Sequence, residues 1–463
     1  MIGTAAISGI RALAAALLLV LSGCATYAPA PLGAGRGADN AAQLSVAATS
    51  MRLPGLATHR FDPTDGLDAT EVAMLAVANN PELKLKRDDL GVARAQAFAA
   101  GLLPDPQVNL TGDFPTGSDP SLTKAFNLGL SEDVGTLLTR SSRTAAAGNE
   151  ADQVNLDLLW AEWQTVAQAR LLFAQVIAVR AQQARLEIEQ RALTPIGHDV
   201  REALRAGNLT YDSASAGLNA EAEVRRRLAD NAVALHQATG DLHALLGLAP
   251  SAPLDLVGEP YQATPTQAQV EQALADLPRR RPDLLALQAG YQAQEEKLRA
   301  AILAQFPALT LGFTRARDTS DVYTSGFTLG LTLPLFNRNR GNIAIETATR
   351  ERLKDEYDAR SLATRGDMQR LLADLATMAA QRTALDAHAH ELDAARGAAE
   401  RAWRGGLLDW PTYVAIRNSS LGADLDLIAL RQEQARQALA LQALLGSIDF
   451  DTASSPSAAA HRP

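Results

Sequence analysis

The 463-residue sequence holds a single cysteine, Cys24, so no disulfide can form within one chain. Aromatic residues make up only 5% and the net charge is −9, which leaves no concentrated basic face for nucleic-acid phosphates. The histidines His236, His243, His388 and His390 form no His-Glu-x-x-His pattern and no cluster with acids at helical spacing. They read as solvated or interfacial positions on Ala-rich helices. No nucleophile has a credible base beside it, so catalysis, cofactors and a resident metal all lack support. Arg279-Arg280-Arg281 reads as a solvated loop ahead of Pro282.

What the chain does have is one design written twice. Asn80-Pro81-Glu82-Leu83 opens a helical run ending at Pro106-Gln107-Val108-Asn109-Leu110, and Arg281-Pro282-Asp283-Leu284 opens another ending at Phe306-Pro307-Ala308-Leu309. Pro81 to Pro282 is an offset of 282 − 81 = 201, which also carries Pro106 onto Pro307 and Phe126 onto Phe327. Further on, Gly207 matches Gly406 at 406 − 207 = 199. The unit far exceeds a solenoid repeat of about 20–50 residues, which points to two similar halves in one body. The boundaries read as 66–250 for the first repeat and 264–447 for the second, with a tail at 448–463.

Ahead of the first repeat, Arg11 precedes an apolar run, Ala12 to Leu21, too short for a bilayer span of about 20 residues. It reads as an export signal over 1–23. Leu21-Ser22-Gly23-Cys24 resembles a bacterial lipobox, which makes Cys24 the acylated first residue of the mature chain. Ala25 after it is compatible with sorting to the outer membrane. Residues 24–65, rich in Ala, Gly, Pro and Ser, read as an extended arm from lipid to body.

In each repeat the hydrophobic period changes from helical to two. Four segments alternate, at about 107–115, 125–132, 307–316 and 324–333. Phe126, Leu128, Leu130, Phe327, Leu329 and Leu331 form one row. Asn109, Thr111, Asp113, Asn127, Ser131, Thr310, Thr314, Thr328 and Thr332 form the other, neutral-polar or acidic, as suits a wet lumen backed by lipid. Phe114, Phe126, Phe313, Tyr323 and Phe327 are expected near strand ends as an interfacial girdle. Four strands cannot close a transmembrane barrel, whose smallest single-chain forms have about 8, so closure must be intermolecular. Two chains would give eight strands and three would give twelve.

Long helices follow each strand pair, about 138–205 and 342–404, with seams at Leu156, Leu159, Trp163, Val166, Arg170, Phe173 and Ile177, and at Leu371, Asp374, Met378, Gln381, Leu385, His388, Leu392 and Ala395. Pro195 reads as a kink. The return helices, about 211–246 and 412–445, are half as long, and the shorter helices 82–103 and 283–305 can stack on them end to end. Turns fall at Arg205, Gly207 and Asn208 and at Arg404, Gly405 and Gly406.

The Arg pair before Pro-Asp-Leu, the helix ending Leu298-Arg299-Ala300-Ala301 ahead of Phe306-Pro307-Ala308-Leu309, the strand Gly330-Leu331-Thr332-Leu333-Pro334-Leu335-Phe336 and the Leu-Leu-Gly closures resemble the TolC-type outer-membrane efflux proteins over about 66–447. Within that family the lipobox is similar to the lipoprotein branch serving RND pumps, and Leu103-Pro104-Asp105-Pro106 to heavy-metal efflux members. The resemblance implies a mainly α protein with a small transmembrane β portion and a two-fold internal repeat. It also implies a homotrimer, whose β-barrel continues into a long α-helical periplasmic barrel. A periplasmic adaptor and an inner-membrane RND-type pump would be its partners, and the two tip turns would dock the adaptor. In the best-known members paired aspartates narrow the entrance six and nine residues beyond the second glycine. Here Thr412 and Ala415 stand there, and Asp212 and Asp409 are the nearest acids. The function implied is a passive exit duct for small molecules or ions in a Gram-negative outer membrane. The alternative from the residues alone is a lipid-anchored coiled-coil scaffold, which leaves the four alternating strands unexplained.

Overall fold

The computed structural model describes residues 27–445 apart from 34, 36, 45, 47–50, 117–120 and 260–263. The expected signal segment 1–23, Cys24 and the expected tail 448–463 lie outside the described residues. One compact unit begins at Ala38. Its elements are α1 (Pro54–Ala57), α2 (Ala69–Asn79), α3 (Pro81–Gly101), β1 (Gln107–Asp113), β2 (Ala125–Asp133), α4 (Gly135–Arg205) and α5 (Tyr211–Leu246). Then follow α6 (Gln267–Arg280), α7 (Pro282–Leu303), β3 (Ala308–Arg317), β4 (Tyr323–Thr332), α8 (Arg340–Arg404) and α9 (Trp410–Leu445).

The boundaries follow local chemistry. Asp68 caps α2 through Thr70 and Glu71, and Glu71 returns the bond in a capping box. Asn80 accepts from Leu83 at 2.9 Å just before Pro81, whose missing N–H is no loss in a first helical turn. Pro282 starts α7 in the same way. The longest helix, α4, has 71 residues, about 105 Å at 1.5 Å rise, and runs unbroken through Pro195.

In the first half the short helices stack end to end. Asn80 donates to Leu245 O at 3.0 Å, so the end of α5 meets the start of α3. Gly247 makes that joint, with φ +70° and Asn79 O only 2.9 Å from where a Cβ would stand. The pair α3 and α5 gives 21 + 36 = 57 residues beside the 71 of α4, and α7 with α9 gives 22 + 36 = 58 beside the 65 of α8.

Several readings need correction. Within the expected arm 24–65, described residues from Ala38 onward pack on the body instead of standing free: Ala38 pairs with Leu248, and Leu53 and Leu56 are buried with Val72, Trp163, Phe173 and Leu242. The turn of residues Arg279 to Arg281 is not a solvated loop, since Arg279 and Arg280 end the amphipathic helix α6 and Arg281 is 3% exposed. Arg281 grips Asp283 with Nε to Oδ1 at 2.9 Å and Nη2 to Oδ2 at 2.6 Å, and lies 4.8 Å over the Trp160 ring of α4. The sequence reading passed over α6, although Thr266 and Gln269 form a capping box and Val270, Ala273 and Leu277 bury one stripe. His243 is buried, not solvated, and burial lowers its pKa against a backbone contact at Ala252.

The seams divide. In α4, Trp163, Val166, Arg170 and Phe173 are buried. Arg170 is 2% exposed, and burial lowers its pKa to about 10 against the pull of Asp68. In α8 the buried stripe is Thr364, Met368, Leu371 and Leu375, while Gln381, His388 and Ala395 are exposed. The polar members expected in that second seam face solvent in the single chain.

Candidate functional site

Two regions stand out, the sheet at one end of the long helices and the turns at the other. The sheet is a four-stranded antiparallel meander in the order β1-β2-β3-β4, so among the described residues β1 and β4 each leave one edge unpaired. Its register sorts the side chains, because directly opposite residues share a face. Val108 faces Leu130, Leu110 faces Leu128, Leu130 faces Phe313, and Phe313, Leu311 and Leu309 face Phe327, Leu329 and Leu331. On the other face Thr111 opposes Asn127, Gly129 opposes Asn109 and Thr314, Gly312 opposes Ser131 and Thr328, and Gly330 opposes Thr310.

The apolar face is open to the surroundings. Phe327 is 91% exposed, Leu110 74% and Leu329 68%, too much apolar surface in one patch for a face left in water. The polar face carries a shallow groove of about 300 Å³ lined by Asn109, Thr111, Asn127, Thr310, Thr314 and Thr328. Glycines 129, 312 and 330 sit opposite these polar residues, which keeps the polar face thin while the other stays bulky. Arg315 and Arg317 on the apolar face lie at the end where β3 turns into β4, and Glu132 lies towards the helices. The aromatic expectation holds for Phe126 and Tyr323, in edge contact at 6.4 Å near the hairpins. Phe313 and Phe327 instead pair at 5.5 Å in mid-strand.

The far turns share one construction. After α4, Gly207 takes φ +74°, its N–H bonds Leu204 O at 3.1 Å and the Asn208 N–H bonds Ala203 O at 2.8 Å. After α8, Gly406 takes φ +71°, its N–H bonds Trp403 O at 3.0 Å and the Leu407 N–H bonds Ala402 O at 2.8 Å. Each is a Schellman closure with glycine at the left-handed position. Arg205, Asn208, Arg404 and Gly405 are exposed there, as is Leu407 at 86%. Of the two nearest acids, Asp409 is occupied as a helix cap, accepting from Thr412 N at 3.1 Å, while Asp212 is exposed in the first turn of α5.

Just behind the turns the two halves are locked together by groups the sequence reading missed. Arg417 of α9 donates to both oxygens of Glu189 on α4, Nε to Oε1 at 2.9 Å and Nη2 to Oε2 at 2.8 Å, and Nη1 donates to Tyr413 Oη at 3.0 Å. The side chains are 4% and 0% exposed. Burial works against the Arg417 charge, but the bonds to Glu189 and Tyr413 outweigh it and hold the pKa above its ordinary value. Arg185, one turn before Glu189 on α4, pairs with Asp424, two turns beyond Arg417 on α9. Tyr413 stacks on Trp403 at 4.7 Å, and Trp410 fills the space that a Cβ on Gly217 would need.

Among the described residues there is no group of three potential metal ligands, and no helix is long and apolar enough to cross a membrane. The second observation says nothing of the sheet.

Residues 269–447 match the family described as Outer membrane efflux protein. The pyoverdine export outer membrane protein OpmQ of Pseudomonas putida (strain KT2440) is 30% identical over 212 residues, covering 41% of this chain and 44% of that protein. The chain thus aligns with less than half the length of this curated relative. Among solved structures, CusC superposes with a TM-score of 0.69 at 17% identity, over 91% of this chain and 99% of that one. The Campylobacter jejuni outer membrane channel CmeC gives 0.70 at 14%, over 91% and 94%. The second half of the chain is thus similar in sequence to the outer membrane efflux proteins, and the chain shares the fold of such channels over nine-tenths of its length.

Proposed function

We propose that this chain is the outer-membrane exit duct of a tripartite efflux system, passing small molecules or ions delivered by an inner-membrane RND-type pump through a periplasmic adaptor. The observation that carries it is the two-faced sheet with two open edges. An open edge cannot face lipid, because its unpaired N–H and C=O groups would each cost several kcal/mol. Copies of the chain closing edge to edge, β4 of one against β1 of the next, satisfy every edge and put the threonine and asparagine face around water. Three copies give twelve strands, and we take the two sequence repeats, 66–250 and 264–447, to make each copy contribute twice to the wall. The experiment is reconstitution of the purified protein in planar bilayers, which is expected to give discrete single-channel steps. A body that is soluble without detergent and conducts nothing would leave the coiled-coil scaffold as the better reading.

Two further expectations belong to this reading. Cys24 is taken as acylated without being the sole anchor, since the sheet itself holds the membrane. With Cys24→Ser behind a non-lipoprotein signal peptide, the protein should still fractionate with the outer membrane. Recovery of the body from the soluble periplasm would refute the barrel.

The second concerns the tips, read as the adaptor-docking and constricting end. Gly406 has open space around it but needs a positive φ, so a valine strains the backbone locally without a clash, by about 1–3 kcal/mol. Gly406→Val is expected to assemble in the outer membrane yet to lose adaptor crosslinking and export and to show altered conductance. Wild-type behaviour in all three assays would misplace the docking end.

A further inference from the structure

Away from the sheet and the tips, α3, α4 and the segment leading into α1 enclose a cleft of about 620 Å³ that the duct reading does not use. Arg52, Arg87, Arg94 and Glu162 line it. Glu162 is 3% exposed; its Oε1 accepts from Arg87 at 3.2 Å, while its Oε2 is buried with no hydrogen-bond partner among the described residues. Arg87 also donates to Val77 O at 2.6 Å, which fixes it in the cleft wall. Among the described residues Arg52 bonds Asn155, Nη2 to Oδ1 at 3.1 Å and Nη1 to its carbonyl at 3.4 Å, and no carboxylate there offsets its charge. Arg94 has no acid partner among the described residues. Three guanidinium groups against one carboxylate leave the cleft with a surplus of two positive charges.

A buried carboxylate oxygen beside surplus guanidinium groups sets a double requirement. The occupant must be an anion for Arg52 and Arg94, and it must also donate a proton to Glu162 Oε2, because an ionised carboxylate only accepts. Chloride and sulfate meet the first demand alone. A hydrogen phosphate, free or as a phosphomonoester in its singly protonated state, meets both, with oxygens to the arginines and its P–OH to Glu162.

We propose that this cleft is a hydrogen-phosphate site. Asn155 and Glu162 lie 20 and 27 residues into α4, about 30–40 Å from the sheet end of that helix, so the free anion and not a bilayer headgroup is the expected source.

The test uses the full-length oligomer in phosphate-free nonionic detergent, with radiolabelled inorganic phosphate in equilibrium dialysis at mildly alkaline pH. Saturable binding is expected, with sulfate competing at least about tenfold more weakly, as fits one buried acceptor left unpaired. Arg94→Met, at an exposed position that leaves the fold intact, should weaken phosphate by about tenfold or more. Glu162→Gln supplies an amide donor in place of the acceptor, so it should narrow or reverse the preference for phosphate over sulfate. Equal competition by sulfate on the unaltered protein, no saturable binding, or an Arg94→Met protein that binds phosphate as before would each overturn the assignment. Reconstitution in phosphatidylethanolamine vesicles with and without phosphatidic acid separates the sources. Unchanged binding supports the free anion, and displacement by phosphatidic acid would overturn that source.

Discussion

Replacing Arg417 by methionine is expected to cost about 3–5 kcal/mol, the largest loss from any single side chain behind the tips. The substitution leaves Glu189, whose side chain is fully buried, without either of its donors, and it strips Tyr413 Oη of a third. A buried charge without its partner is far worse than no charge at all, so the double variant Glu189→Met with Arg417→Met should recover most of the loss. Thermal unfolding of the purified protein, followed at fixed protein and detergent concentration for these variants and for Glu189→Met alone, gives the coupling as a double-mutant cycle. A single-variant loss below about 1 kcal/mol would mean that water reaches the pair, since that is the scale of an exposed ion pair.

The same pair has a functional side. It joins α4 to α9, 205 − 189 = 16 residues before the end of α4 and 417 − 406 = 11 residues after the second turn. If the tips set the narrowest part of the path, loosening this joint should change conductance more than the rescued double variant does. A conductance unchanged in Arg417→Met, alongside the expected loss of stability, would separate the joint from the constriction.

How much of this was legible beforehand depended on whether the signal was local. Strand alternation is a local pattern, and β1 and β2 fall within two residues of the segments read from it. Pro81 and Pro282 start helices because a missing N–H is free there, and Gly207 and Gly406 end them because only glycine takes a positive φ without strain. Gly247 was read only as part of a repeated closure, yet it holds the joint between α5 and α3, which needed the Asn79 carbonyl to be seen.

The Glu189–Arg417 pair spans 228 residues of sequence, and each partner alone looks like any solvated charge on a long helix. Arg281 and Asp283 stand two apart and still misled, because their burial comes from Trp160 on another helix and not from their neighbours. The second seam failed for a related reason. The spacing of Leu371, Asp374 and Met378 is sound for a coiled coil, but which stripe is covered depends on α7 and α9, and they cover Thr364, Met368 and Leu371.

The sheet offers the sharpest test of the duct itself, because neighbouring positions on one strand should respond oppositely. Leu329 faces Leu311 on the apolar side and is 68% exposed, with Phe327 and Leu331 on the same row. Thr328 faces Gly312 on the polar side, where its neighbours are hydroxyl and amide groups and the opposite position has no side chain. If the apolar side is set in lipid, Leu329→Arg should cost about 2–4 kcal/mol near the bilayer midplane, less towards the interface, where the side chain can reach headgroups. Thr328→Arg puts the same charge on the wet side, where it keeps its hydration and fits over Gly312. The expected result is that Leu329→Arg sharply reduces the heat-resistant oligomer recovered from outer membranes. Thr328→Arg should assemble near normal levels and shift ion selectivity towards anions in planar bilayers, since it adds a positive charge per copy to the lumen. Equal damage from both substitutions would rule out a lipid face and a lumen face on this sheet. Damage from Thr328→Arg alone would reverse the two sides.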